Sequence, residues 1–145
     1  MPIRQTTPQS EIASYIEKRL RMLEMAIVRN FCVIGERCVN IARTSHSYTD
    51  QSGNLTSSMG YAVSVDGRLV QISSFDKVLN GEQGAMDGQE YVKQLLRKYP
   101  SGIVLIVVAG MNYAAYVSDK GYDVIDSAES HAEQQIPRML KQLGL

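Results

Sequence analysis

Residues 8–43 read PQSEIASYIEKRLRMLEMAIVRNFCVIGERCVNIAR, and their hydrophobic pattern decides the fold. Apolar residues recur at steps of three and four, which places them on one face of a helix. Thr7 can cap the start of this helix, and Pro8 suits its first turn, where no N–H is needed. The pattern therefore predicts one long helix over residues 8–43. Its first stripe consists of Ile12, Ile16, Leu20, Leu23, Ile27, Phe31, Ile34, Cys38 and Ile41.

A second apolar face lies away from that stripe. A helix of this length spans about 54 Å, whereas a compact chain of this size is roughly 38 Å across. The helix must therefore protrude or bend, and Gly35 is the favoured position for a bend. If the helix protrudes, its second face needs cover from another chain. The residues that we expect at such an oligomer interface are Met25, Val28, Cys32 and Val39.

Length, charge and cysteine content limit the classes of protein to which this chain can belong. The chain has 145 residues, the length of one domain, and 15 basic residues balance 15 acidic ones. A net charge of zero argues against a general nucleic-acid binder, which needs excess Lys and Arg against phosphates. Cys32 and Cys38 are predicted to be buried free thiols of a reducing compartment. With no signal peptide and no apolar run near 20 residues, the chain is expected to be soluble and to contact no membrane.

Residues 60–73 alternate on both sides of Asp66-Gly67, a pair typical of a type I′ hairpin turn. The pattern predicts that Val65 pairs with Arg68. It also predicts that Val63 pairs with Val70 and Tyr61 with Ile72, so that the apolar residues share one face.

Residues 76–100 combine a glycine-containing stretch, 81–88, with an amphipathic pattern over 89–99. We interpret the first part as a flexible connector and the second as a short helix stopped by Pro100 and Gly102. The run IVLIVVA at 103–109 is apolar at every position, which predicts a strand covered on both faces and central in its sheet.

The remainder of the chain predicts a closing helix over 127–143. Asp126 and Glu129 have the spacing of a capping box, and Pro137 is expected to bend the helix. Residues 112–118 fit either a strand extension or a turn of helix, and residues 122–125 fit a short edge strand. The fold class predicted is α+β: a long N-terminal helix, a hairpin and a central strand in a small antiparallel or mixed sheet, and a middle and a C-terminal helix packed on it.

Catalytic and metal-binding patterns are weak. Without paired histidines, a Cys-x-x-Cys motif or clustered carboxylates, neither a metal site nor a cofactor site is predicted. Ser45, His46 and Asp50 could form a nucleophile arrangement, but loop residues so close in sequence rarely supply triad geometry. His131 is expected at a helix surface. The chain is therefore not predicted to be an enzyme.

Two short segments resemble motifs of a bacteriophage family. Residues 48–59, YTDQSGNLTSSM, are similar to a Thr-Gly-x-Leu-x-x-Ser motif, and residues 112–121, NYAAYVSDKG, are similar to Tyr-Ala-x-Tyr-Val-Glu-x-Gly. The family comprises the tail-completion or head–tail joining (neck) proteins of the gene-product-ten type, from long-tailed phages and prophages. The matching positions are Gly53, Leu55, Ser58, Tyr113, Ala114, Tyr116, Val117 and Gly121.

The chain departs from the family pattern at several positions. Ser52 stands where the family has Thr, no proline precedes the first motif, and Ser118 replaces the usual Glu, with one extra residue before Gly121. The family's Pro-Ala after the second motif is present only as Ser127-Ala128. Residues 76–100 are interpreted as an insertion relative to the family.

The resemblance implies a structural virion protein, made in the bacterial host cytoplasm, without catalytic activity. It implies a homo-oligomeric ring around a DNA channel, in contact with the connector or adaptor, the tail terminator and the tail tube, with DNA only as cargo. Two alternatives stay open. One is a small DNA-binding or regulatory module that uses the arginines of the long helix, and the other is a small hydrolase that uses His46.

Overall fold

A computed structural model describes residues 8–44, 53–76, 79–109 and 125–145. Its elements in chain order are helix α1 (Gln9–Thr44), the helical turn α2 (Asn54–Ser57), strands β1 (Met59–Val65) and β2 (Arg68–Ile72), helix α3 (Glu82–Leu96), strand β3 (Ile103–Ala109) and helix α4 (Asp126–Gln142). The strands form an antiparallel sheet in the order β2-β1-β3. The predicted α+β class is confirmed.

Helices cover both faces of the sheet. On one face, α1 and α4 pack over Leu105 and Val107 around a core that includes Ile34, Cys38 and Met139. On the other face, α3 packs through Val92 and Leu96 against Ala62, Ile106 and Val108. Every residue of β1 is buried, because its alternate side chains point into two different cores.

The position of the central strand was predicted wrongly. Among the described strands β1 lies in the middle and β3 lies at an edge. The apolar run at 103–109 is explained by coverage of both faces, since alternate β3 residues belong to the two cores. Coverage of the faces does not require a hydrogen-bonded neighbour on each side, so it does not determine the order of the strands.

The hairpin turn is confirmed and the rest of its register is corrected. Asp66 and Gly67 have φ angles of 51° and 79°, as the type I′ turn requires. Val65 pairs with Arg68 as predicted, but a bulge follows, so that Val63 pairs with Gln71. Ile72 likewise pairs with Ala62 instead of Tyr61. The bulge inserts one extra residue into β2, whose side chains are mostly exposed.

The middle helix is longer than predicted. Residues 81–88 are not a flexible connector, because α3 begins at Glu82 and continues to Leu96. A Cβ on Gly84 would lie 1.9 Å from the backbone oxygen of Asn54, and one on Gly88 would lie 2.5 Å from that of Ser58. The glycines therefore allow α3 to approach α2 and its C-terminal end closely.

The two long helices differ from expectation in detail. α1 is one continuous α-helix through Gly35, whose missing side chain makes room for the ring of Tyr61 instead of marking an interruption. α4 begins at Asp126, with Ile125 at the N-cap position and no side-chain capping hydrogen bond, so the capping box is wrong. Pro137 lies within α4, which continues to Gln142. The predicted elements at 112–118 and 122–124 lie outside the described residues.

Candidate assembly surface

The first half of α1 carries apolar side chains that the other described residues of the chain leave exposed. We call residues 9–25 the arm; at 1.5 Å per residue it is about 25 Å long. α1 has its buried residues at Ile34, Gly35, Cys38 and Ala42, all beyond the arm. The exposed large apolar residues of the arm are Ile12 (37%), Tyr15 (64%), Ile16 (51%), Leu20 (60%), Met22 (54%) and Met25 (61%).

The first apolar stripe of α1 therefore serves two purposes. From Ile27 onward it packs in the core, where Phe31 and Ile34 meet α4 and the sheet. Before Leu23 the same stripe is uncovered, at Ile16 and Leu20. The sequence pattern assigned this whole stripe to one buried face and did not predict that its first part is exposed. The signal that could have located it is the excess of helix length over the width of the domain.

The four predicted interface residues divide between exposed and partly buried positions. Met25 is exposed, whereas Val28, Cys32 and Val39 are half-buried. Partial burial leaves each of these three less surface to offer a partner than Met25 offers. The surface that α1 presents is thus concentrated in the arm.

A groove of about 430 Å³ runs along one side of the arm. Leu143, which follows α4, forms its inner end and lies near Leu23 and Ala26. The remaining lining comes from the arm itself, with Arg19 as the charged residue of the lining. The groove is therefore an apolar recess between the arm and the end of α4. Its lining residues are Tyr15, Ile16, Arg19, Leu20, Met22, Leu23, Ala26 and Leu143.

The first motif segment holds α2 against the core. Gly53 has a φ of 79°, the left-handed conformation that glycine adopts without strain. Leu55 is 1% exposed and packs in the core with Ile34 and Cys38. The Ser58 hydroxyl donates a hydrogen bond of 2.6 Å to the Leu55 carbonyl oxygen. The structure thus gives all three residues a role in local geometry and packing.

This segment also contacts the middle helix. The Gly84 N–H donates to Asn54 Oδ1 at 3.1 Å, next to the close approach of the two backbones. A side chain on Gly84 would displace Asn54 and with it the turn that carries Leu55. The residues of the second motif (Tyr113, Ala114, Tyr116, Val117 and Gly121) lie outside the described part of the chain.

Groups that could perform catalysis are dispersed. Within residues 8–44, 53–76, 79–109 and 125–145, no group of three or more His, Cys, Asp or Glu side chains could hold a metal ion. Burial raises the pKa of the Cys38 thiol. Burial, together with the nearby Glu36 charge, also raises the pKa of the Cys32 thiol. Higher pKa values reduce the thiolate fraction, so neither cysteine is activated as a nucleophile.

Of the two histidines, His131 lies in the part of the chain that the structure describes. It is half-buried on α4, and its Nε2 atom has no hydrogen-bond partner among the described residues. His46 and its proposed neighbours Ser45 and Asp50 lie outside the described residues. A second recess, of about 290 Å³, lies between α1, β3 and α4 and has a mainly apolar lining, with Glu129 as the charged group.

None of the helices in the described part of the chain is both long enough and apolar enough to cross a membrane. Comparison with protein-family models, with curated proteins and with solved structures finds no match to this chain.

Proposed function

We propose that this protein is a structural virion component of a long-tailed bacteriophage or prophage. In this proposal it belongs to the head–tail connector or tail-completion region and joins an oligomeric ring between head and tail. It has no catalytic role, and DNA passes through the ring as cargo. The observation that carries the proposal is the uncovered apolar surface of the arm, from Ile12 to Met25.

The exposed surface supports assembly because isolated soluble domains rarely show contiguous apolar patches above a few hundred Å². In the arm such side chains share one side of the helix at Ile12, Ile16 and Leu20, which follow each other at steps of four residues. A head-to-tail contact between identical subunits closes into a ring when the rotation between them allows it. A projecting helix can reach the neighbouring subunit in such a ring.

The motif geometry agrees with the resemblance in residues 48–59. Gly53 adopts the left-handed conformation, Leu55 is buried, and Ser58 closes the turn by a hydrogen bond to its carbonyl oxygen. These three residues are thus the fixed points of one compact turn. The family itself and the position of the protein within the neck are proposals from the sequence resemblance alone.

The DNA-binding alternative receives less support from the arm. Its basic residues Lys18, Arg19 and Arg21 alternate with Glu17 and Glu24 along the helix. Interleaved charges of opposite sign are typical of a solvated helix surface. The balanced net charge of the chain likewise gives no general attraction to phosphates.

The decisive experiment is removal of the gene from its phage or prophage, followed by electron microscopy of the lysate. We expect filled or partly filled heads and separate tails, with few joined particles, and restoration by the protein supplied from a plasmid. A tagged copy should label the head–tail junction. Normal joined particles without the protein, or label elsewhere in the virion or in the cell only, would contradict the proposal.

A variant of the arm tests whether its exposed apolar side chains are needed to join heads and tails. Ile16→Asp combined with Leu20→Asp should leave the fold intact, because both side chains are exposed, but should abolish restoration of joined particles. The matched control is Ser14→Asp, an exposed polar position on the same helix, which should restore them. Full restoration by the double variant would show that the arm surface is not used.

A further inference from the structure

The exposed part of α1 has the residue spacing of a coiled-coil seam. Apolar residues follow each other at steps of three, four, three and four, the alternation that lines up side chains along a contact between two helices. Farther along α1, from Ile27 onward, the chain's own core covers the stripe. In the arm it is free at Ile16 and Leu20. The seam consists of Ala13, Ile16, Leu20, Leu23 and Ile27, of which the first three are exposed and the last two are half-buried by the chain's own body.

Basic and acidic side chains lie on opposite sides of this seam. On one side lies Arg19, which lines the apolar groove. On the other side lie Glu17, which is exposed, and Glu24, which is half-buried where the arm meets the body. In heptad terms Arg19 occupies a g position and the two glutamates occupy e positions. The arm therefore has one basic and one acidic edge.

This arrangement of charges favours parallel over antiparallel packing of two arms. Two parallel helices bring a g residue against the e residue five positions later on the other helix. This places Arg19 of one copy against Glu24 of the next, a head-to-tail contact between the basic edge of one arm and the acidic edge of its neighbour. Antiparallel helices would place like edges together, so that Arg19 would face Arg19 and the glutamates would face each other. Like charges repel at these distances.

We propose that the arm of each chain packs against the arm of a second copy that runs in the same direction, with Arg19 of one copy paired to Glu24 of the other. This inference rests on the proposed ring, because subunits related by rotation about an axis parallel to their arms keep those arms parallel. The seam is short and its exposed apolar area is below the roughly 800 Å² per partner of a stable interface. Self-association through the arm alone is therefore weak and concentration-dependent.

Charge-reversal variants of the purified chain test the pairing by analytical ultracentrifugation. Arg19→Glu alone, or Glu24→Arg alone, should weaken self-association about tenfold, because each replaces attractive pairs by repulsive ones. The two variants mixed in equal amounts should associate as the wild type does. The double variant Arg19→Glu with Glu24→Arg should also self-associate. Lys18→Glu, the same charge change on the opposite side of the helix, is the matched control and should have no such effect.

Disulfide cross-linking gives a second readout that does not depend on charge or on the folding of the Glu24 variant. In a Cys32→Ser background, Ile16→Cys should form a disulfide between copies under mild oxidation, because parallel seams bring equivalent residues together. Ser14→Cys, on the opposite side of the helix, should remain unlinked. Equal cross-linking of the two would contradict an ordered seam.

Three results would overturn the inference. They are a wild-type chain that stays monomeric into the millimolar range, a mixture that associates no better than its separate components, and absence of the Ile16→Cys disulfide. Each of them leaves the proposed function open to its own test. A protein that is monomeric in solution but still needed for joined heads and tails would have a different partner on its arm.

Discussion

The ring of Tyr61 lies directly against the backbone of Gly35, where α1 crosses the middle strand of the sheet. A Cβ on Gly35 would be 2.6 Å from Tyr61 Cδ2 and 2.7 Å from Cγ. These are atoms at the base of the ring, which cannot move without moving β1. Tyr61 itself is 1% exposed. The glycine is therefore a packing position that fixes the distance between α1 and the sheet.

Gly35→Ala tests this role, because it should lower the stability of the fold here and would raise it at an exposed helical site. In an exposed helix this change stabilises by up to about 1 kcal/mol, but the added methyl group here collides with Tyr61. We expect a net loss of about 1–3 kcal/mol in the free energy of unfolding, measured by urea denaturation. Ser14→Ala, at an exposed site of the same helix, should be neutral or slightly stabilising. A gain in stability from Gly35→Ala would show that the contact can relax freely.

The glycines of α3 predict a second loss of stability. Gly84→Ala would place a methyl group 1.9 Å from the Asn54 carbonyl oxygen, and Gly88→Ala one 2.5 Å from the Ser58 carbonyl oxygen. Because the first of these two backbone contacts is much the shorter, Gly84→Ala should have the larger effect, roughly 2 kcal/mol or more. Gln94→Ala, exposed on the same helix, is the control in urea denaturation. Equal stability of all three variants would contradict the close packing of α3.

Tyr61 predicts a specific dependence of stability on pH. Burial and its hydrogen bond to Glu36 raise the pKa of the phenol from 10.0 to about 12. The folded state therefore holds this proton more tightly than the unfolded state. The phenol's contribution to the free energy of unfolding is complete below pH 10. It is lost as the pH rises through the folded pKa, by up to about 2–3 kcal/mol.

The measurement compares wild type with Tyr61→Phe by urea denaturation at pH 9, 10 and 11. At pH 9 the phenylalanine variant should be the less stable, because it lacks the hydroxyl and its hydrogen bonds. The difference between the two should shrink with increasing pH, since only the wild type must keep Tyr61 neutral to fold. A constant difference across this range would mean that the phenol titrates normally in the folded chain.

Ser58→Ala tests the turn that carries the first motif. The Ser58 hydroxyl is buried and donates at 2.6 Å to the Leu55 carbonyl oxygen. Removing this hydrogen bond should reduce the free energy of unfolding by about 1 kcal/mol, measured by thermal or urea denaturation. Ser10→Ala, on the exposed arm, should change it by much less. Loss of assembly without loss of stability would instead place Ser58 at an interface.

The sequence predicted correctly those elements that are specified by residues close to each other in the chain. The helix over 8–43 follows from its periodicity, and the turn at Asp66-Gly67 follows from the need for positive φ at both residues. In each case the residues that specify the structure are neighbours in sequence. The structure agrees with these predictions to within one residue for α1 and in conformation for the turn.

Contacts between distant residues were missed for the corresponding reason. Residues 81–88 suggest a loop by composition, but Gly84 is needed because Asn54, 30 positions away, approaches its backbone. Gly35 suggested a bend, whereas its neighbour Tyr61 lies on a different element. The edge position of β3 among the described strands depends on hydrogen bonds along its sides, about which an apolar run contains no information.

The sequence predicted that part of α1 is available to a partner, but not which part of the helix is most exposed. Excess helix length predicted that part of α1 needs an external partner. Of the predicted interface residues, Met25 is exposed, whereas Val28, Cys32 and Val39 are half-buried. The exact boundary between arm and body depends on where α4 packs against α1, which the pattern of α1 alone does not contain.

Hydrogen–deuterium exchange of α1, followed by mass spectrometry at low and high protein concentration, tests the central claim most directly. If the arm is uncovered in the single chain and covered by other copies, its amides at residues 9–22 should exchange rapidly in dilute solution and slow markedly on assembly. Amides at 34–42 should be protected in both conditions, because the core holds that part of the helix. Full protection of residues 9–22 in a dilute monomer would contradict the account.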